Sequence, residues 1–187
     1  MLFHENKTLK ILLLFNGVFV FASSLLGPLY AVFVETIDGN IISISLAWSI
    51  FMLSATFFMF LVRKYGDQVK EKEYLLMGGY LVRALVWFAY PFVPSLGILL
   101  LLQILLGLGE ALGTPAYDAI FAKHLDKNRS VEEYTDRKLI VNLCSAIAII
   151  VGGIIVAEVG FTVLFFIMGS LALISFVGIL IQPRKLI

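Results

Sequence analysis

The feature that most limits what this chain can fold into is the near-continuity of its apolar residues. Six stretches, 11–34, 41–62, 74–93, 96–117, 139–157 and 161–182, run apolar with few interrupting charges. Each has about the 20 residues that a helix needs to cross a hydrocarbon core about 30 Å thick. Helix is required there because no water is present to satisfy an open backbone. Composition agrees, with 60% of the 187 residues hydrophobic and 14% charged, where soluble domains carry about 25% charged residues. The sequence predicts an all-α integral membrane protein with six transmembrane helices.

The punctuation between stretches fits that prediction. "TIDGN" (36–40), "VPS" (93–95) and "EVG" (158–160) read as tight turns on one side, and two longer polar loops lie on the other. Pro183 closes the sixth stretch, since proline cannot extend a helix. Basic residues are retained on the cytoplasmic side of short loops. Lys7 and Lys10, then Arg63, Lys64, Lys70 and Lys72, then Lys123, Lys127, Arg129, Arg137 and Lys138, and finally Arg184 and Lys185 all share one side. The opposite turns hold the acids Glu35, Asp38 and Glu158. Both termini are therefore expected in the cytoplasm, with the chain multi-pass in the cell membrane. The net charge of +1 conceals this asymmetry.

Several other classes of function are set aside by what the chain carries. The apolar run after Lys10 continues to Val34, too long for a cleaved leader, so a retained first helix is the expectation. Cys144 is the single cysteine, and it supports neither a disulfide nor a zinc site. His4 and His124 are isolated and read as surface histidines. Nothing matches a phosphate loop, a nucleophile elbow or a metalloprotease helix. The basic loops lack interleaved aromatics, so no nucleic-acid partner is expected, and no cofactor or metal either. Glu110 and Asp118 come nearest to a catalytic carboxylate pair. They sit about 80° apart around a helix, which argues against an enzyme.

An internal repeat sharpens the functional reading. At an offset of 87 residues Asn16 meets Gln103, Ser23 meets Glu110, Pro28 meets Pro115, and Tyr30 meets Tyr117. Residues seven apart lie on nearly one face of a helix. Asn16, Ser23 and Tyr30 thus form one polar stripe with Gly27 beside it. Gln103, Glu110 and Tyr117 form its counterpart, with Gly107 and Thr114 between. The chain reads as one bundle, 1–187, made of two three-helix repeats, 1–93 and 94–187, that enter the membrane from opposite sides. Paired interruptions such as Pro28 and Pro115, in matching positions of inverted repeats, point to a binding site near the midplane.

Glu110 is the residue most in need of explanation, because an intramembrane acid costs about 2.5–3.5 kcal/mol on insertion scales unless it meets a partner or a wet cavity. Arg83 is the one base within a predicted span, and a short turn joins the two helices concerned. Their depths differ by less than two helical turns, within reach of two long side chains. The pair reads either as structural or as a proton-coupling carboxylate beside its counter-ion. Gly107, Gly109 and Gly113 read as close helix approach of the small-xxx-small kind. Asp118 reads as interfacial.

The order "LLGLGEALGTPAYDAIFAKHLDKNR" (105–129) resembles the fourth helix of the major facilitator superfamily of secondary transporters. "GPLYAVFVETIDGN" (27–40) is similar to the end of its first helix, and "VGGIIVAEVGFTVLFFI" (151–167) to its fifth-to-sixth helix turn. The loop "FLVRKYGDQVKEKEYLLMGGYL" (60–81) sits where the family has G-x-L-A-D-R-x-G-R-[RK]. Leu61, Lys64 and Gly66 match, while Met59, Arg63 and Asp67 depart. Gln103 stands where the family often has arginine, and Ile149 where its antiporters have a proline. The resemblance implies the fold of the family's N-terminal half, a 3+3 inverted-repeat bundle, and alternating-access transport of a small solute, with protons as a candidate coupling ion. Helices one and four would line the path, with Glu110 titrating and Asn16, Gln103, Tyr30 and Tyr117 contacting solute. Six helices are half of the usual twelve. The resemblance therefore implies a second six-helix bundle, from a homodimer, another half or a longer chain. The rival expectation is a non-transporting half that binds and regulates a partner.

Overall fold

The structure is a computed structural model that describes residues 7–125 and 129–182. The readings placed on His4, Lys127, Pro183, Arg184 and Lys185 lie outside the described residues. The helices are α1 (Lys7–Leu26), α2 (Leu29–Asp38), α3 (Ile41–Tyr65), α4 (Lys72–Ala89), α5 (Leu96–Lys123) and α6 (Ser130–Leu180), with 3-10 turns at Gly66–Gln68 and Tyr90–Phe92. Among the described residues there is no strand.

The first apolar stretch is not one helix. Gly27 takes φ 29°, outside the helical region, and Pro28 follows it. Proline has no N–H to give the preceding turn, so α1 ends at Leu26 and α2 restarts at Leu29. Gly39, at φ 63°, then ends α2, and the Asn40 side chain caps α3 by accepting from the Ile42 N–H at 2.9 Å. The expected counterpart, an interruption at Pro115, is absent: Pro115 lies inside an unbroken α5. Thr114, which precedes it, stays helical and has its hydroxyl engaged with Glu110. At Pro28 the preceding residue is a glycine free to leave the helical region.

Five helices are long and apolar enough to cross a membrane, and the last of them, α6, has 51 residues. A straight helix of that length would extend about 75 Å, more than twice the hydrocarbon thickness. Gly160, at φ 83° and ψ 175°, divides it into limbs 130–159 and 161–180. Packing shows that the chain doubles back there. On the first limb, Gly152 meets the Leu25 carbonyl near the end of α1, while Arg137 reaches the C-terminal end of α5. On the second limb, Phe161 and Phe165 contact Phe33 of α2, and Gly178 lies under the Phe15 ring of α1.

Within the bundle α5 packs against α3 and α4, and α6 against α1 and α4. Small residues set these distances. A Cβ added at Gly79 would lie 2.6 Å from the Gly113 Cα, and one at Gly107 would lie 2.6 Å from Ser54 Oγ. Backbones approach so closely only where side chains are missing, and in a bilayer such contact replaces the hydrophobic drive that lipid removes. The outward face of α3, including Leu53 and Phe57, is exposed, as lipid-facing residues are.

The polar connections are shorter than expected. Helix α5 continues six residues past the predicted end at 117, and α6 begins nine before the predicted start at 139, so most of the expected loop is helical. An ion pair of 2.7 Å between Arg137 and Asp118 and an edge contact between Phe121 and Tyr134 join the two ends. In the other loop Lys72 Nζ donates to the Gly66 carbonyl at 2.7 Å and lies 3.2 Å from Asp67. Asp67 thus closes its own loop onto the first residue of α4.

Candidate functional site

Arg83 and Glu110 lie on α4 and α5, the two helices that the Gly79 and Gly113 contact brings together. Arg83 Nη2 is 3.0 Å from Glu110 Oε2 and donates to the Gly109 carbonyl at 2.9 Å. Its guanidinium also lies over the Phe19 ring, 4.8 Å from the centroid. The glycines of α5 make room for this cation: a Cβ at Gly109 would come within 2.7 Å of Arg83 Cγ, and one at Gly113 within 3.2 Å of Arg83 Nη2. Glu110 also accepts a hydrogen bond from Thr114 Oγ1 at 2.6 Å, one helical turn away. Both carboxylate oxygens are therefore engaged.

The pair differs in exposure between its members. The Arg83 side chain is 10% exposed and the Glu110 side chain 31%, so the acid faces open space and the base stands behind it. That space is a cavity of about 220 Å³ lined by residues of α1 through α6, Ser23, Gly27, Tyr30, Arg83, Gln103 and Glu110 among them. The Gln103 amide donates to the Tyr30 hydroxyl, tying the middle of α5 to α2 across the cavity wall. Ser23 turns its hydroxyl back to the Val20 carbonyl at 3.0 Å.

Five of the seven expected pathway residues thus meet at one cavity, and two do not. Asn16 accepts from the Tyr80 hydroxyl at 3.1 Å, deep in the α1–α4 contact. Tyr117 lies in the C-terminal part of α5 under the Arg137 guanidinium, which is 4.5 Å from the ring centroid. Ser23 and Tyr30 both line the cavity from either side of the break at Gly27 and Pro28, whereas Asn16, on α1 with Ser23, and Tyr117, on α5 with Gln103 and Glu110, lie outside it. Gly27 lines the cavity at that break. Gly107, Gly109 and Gly113 serve the packing of α3 and α4 on α5.

Sequence reasoning missed most of the cavity wall. Phe19, Trp48, Phe51, Trp87 and Tyr90 also line it, from α1, α3, α4 and the turn after α4. Phe19 stacks on Trp87 at 5.6 Å, and Trp48 lies 5.6 Å from Tyr30. The available signal was the pair of tryptophans, the only two in the chain. Both face this cavity. Among the described residues no cluster of histidine, cysteine or acidic side chains could hold a metal ion.

Comparison with known proteins agrees with this architecture. The chain is 25% identical, over 133 residues, to the uncharacterized MFS-type transporter YitZ of Bacillus subtilis (strain 168). The match covers 71% of this chain and 80% of that protein. The profile of the Major Facilitator Superfamily matches residues 12–186, nearly the whole chain. A bundle of long apolar helices with this match is a multi-pass membrane protein, and the chain belongs to the major facilitator superfamily, whose members carry small solutes across lipid bilayers.

Proposed function

We propose that this chain is one six-helix bundle of a secondary transporter that moves a small solute by alternating access, with both termini in the cytoplasm. In this reading 1–93 and 94–187 are inverted three-helix repeats, and a second bundle, most simply another copy, completes the pathway. The observation that carries the proposal is the Arg83–Glu110 pair on the wall of a cavity. A charged pair in hydrocarbon is expensive, and well-packed apolar residues would serve stability as well or better. A pair kept at a cavity edge, with the acid outward, fits a group that changes charge during transport.

The chemistry follows from the contacts. A proton on Glu110 would neutralise the carboxylate and weaken its hold on Arg83, leaving the guanidinium on the Gly109 carbonyl and the Phe19 face. Loss of the proton would restore the pair. Such a two-state contact between α4 and α5 biases one arrangement of the bundle over another, as coupling requires. Support for the transport reading also comes from the name of the Bacillus relative, an MFS-type transporter.

The test is solute-dependent proton movement in proteoliposomes that contain this protein alone and a trapped pH-sensitive dye. Wild-type protein should change the lumenal pH when a transported solute is added outside, and Glu110→Gln should not. Equal responses from both would remove Glu110 from coupling, and no response to a broad panel of small solutes would remove the transport reading. The mass of the particle in lipid nanodiscs, measured alongside, should be that of two bundles.

A further inference from the structure

The cavity also bears on which solute it takes, an inference that rests on reading it as the solute site. Three classes can be weighed against the wall. A polyol needs many free hydrogen-bonding groups, but Gln103 is spent on Tyr30, Ser23 on its own helix, and the remaining wall is mainly aromatic and aliphatic. An organic anion needs Arg83. That guanidinium is recessed, its Nη2 is shared between Gly109 and Glu110, and its Nε is buried, so an anion must first strip Glu110 away. A cation meets Glu110 first, although Arg83 and Thr114 already engage its two oxygens and each oxygen must then take a further partner. The Glu110 carboxylate is the charged group turned outward, and a cation can approach it without breaking the pair.

The aromatic residues favour the same class. Six of them, Phe19, Tyr30, Trp48, Phe51, Trp87 and Tyr90, surround the cavity that holds one outward carboxylate. Aromatic faces carry negative potential and attract cations whose hydration is weak, alkylammonium groups above all. Phe19 already shows this behaviour toward the Arg83 guanidinium. The volume, about 220 Å³, falls below the roughly 300–1,000 Å³ of pockets that hold drug-sized ligands. We infer that this cavity takes a small organic monocation of the alkylammonium class, paired with Glu110 and enclosed by the tryptophan and tyrosine faces.

The two tryptophans make the inference directly measurable, since Trp48 and Trp87 are the only ones in the chain and both line the cavity. Intrinsic fluorescence of the full chain in nanodiscs would be titrated with three probes of one shape: choline, the uncharged 3,3-dimethyl-1-butanol, and the anionic 3,3-dimethylbutanoate. Choline should give a saturable change, with the other two at least tenfold weaker. Glu110→Gln should weaken choline at least tenfold, whereas Glu110→Asp, which keeps the charge, should retain binding within a few fold and guard against misfolding of the first variant. Tighter binding of the butanoate would overturn the cation class, as would equal binding of the uncharged alcohol or no saturable response at all. Each of those results leaves the transport reading standing or falling on the proteoliposome measurement, which uses a broad panel and does not depend on choline.

Discussion

Helix α5 carries two ion pairs eight residues apart, and they do different work. Glu110 pairs with Arg83 in the middle of the bundle at 3.0 Å, and Asp118 pairs with Arg137 near the helix end at 2.7 Å. Distance alone ranks the second as the closer contact. Environment reverses the ranking. The inner pair is 10% exposed at Arg83 and 31% at Glu110, and the base rests on glycines; the outer pair is 23% exposed at Arg137 and 49% at Asp118, so water on the rest of the Asp118 carboxylate can screen its charge if that pair breaks. Arg83 has no such substitute, and Glu110 has only the cavity. The same chemistry is thus a tether at one level of the bundle and a commitment at the other.

The largest test of that contrast removes the base from each pair. Arg83→Leu leaves Glu110 without its partner inside the bundle and should cost about 3–5 kcal/mol, the usual penalty for orphaning a buried charge. Arg137→Leu should cost about 1–2 kcal/mol, most of it from the lost contacts with the Tyr117 and Phe121 rings, because a pair this near water contributes little by itself. Unfolding in mild detergent by heat or denaturant, followed by circular dichroism, measures both. Equal losses would erase the distinction between the two pairs.

A smaller effect is expected from the packing that holds the inner pair together. Gly79→Val places a Cβ 2.6 Å from the Gly113 Cα, backbone that cannot step aside cheaply, so α4 and α5 must separate. Overpacking of this kind costs about 1–3 kcal/mol. Gly153→Val is the control, since nothing lies within 4 Å of a Cβ there. It should stay within about 0.5 kcal/mol of wild type in the same unfolding assay. Comparable losses from both would mean that the α4–α5 contact is looser than the structure shows.

The comparison also separates what was legible in the sequence from what was not. The apolar stretches were legible because a bilayer tolerates no alternative to long helices, and their limits fell within a few residues at the tight turns. Glu110 and Arg83 were legible because charges are rare in such stretches and each demands an explanation. The facing ends of α5 and α6 were not, since most of residues 118–138 are polar and polarity alone reads as loop; the contacts Asp118–Arg137 and Phe121–Tyr134, which join those ends, follow no helical period and leave no pattern in the sequence. The single break at Pro28 was hidden for a related reason. Pro28 and Pro115 look equivalent in the repeat, and the preceding residue, Gly27 in one case and Thr114 in the other, decides the outcome. Trp48 and Trp87, rare as they are in this chain, do not read as cavity residues from sequence because an aromatic in a span packs against protein or lipid by default.

The smallest expected effect sharpens the contrast most, because it isolates each pair from its surroundings. A double-mutant cycle on Asp118→Asn and Arg137→Leu measures only what the two side chains gain from each other. In the first variant the asparagine side chain would still accept a hydrogen bond, and Arg137 would keep its places over the Tyr117 and Phe121 rings, 4.5 and 5.1 Å from their centroids. Each ring contact contributes about 0.5–1 kcal/mol in partly exposed positions. The coupling should therefore be about 0.5 kcal/mol, and solute-dependent proton movement should stay within about twofold of wild type in Asp118→Asn. The same cycle on Glu110→Gln and Arg83→Leu should give a coupling of about 2 kcal/mol or more, since each single change strands a partner inside the bundle, away from bulk water. If the outer pair instead showed the larger coupling, the joint between α5 and α6 would be the element that the bundle holds most firmly, and Arg137 would replace Arg83 as the residue to follow in the transport assay.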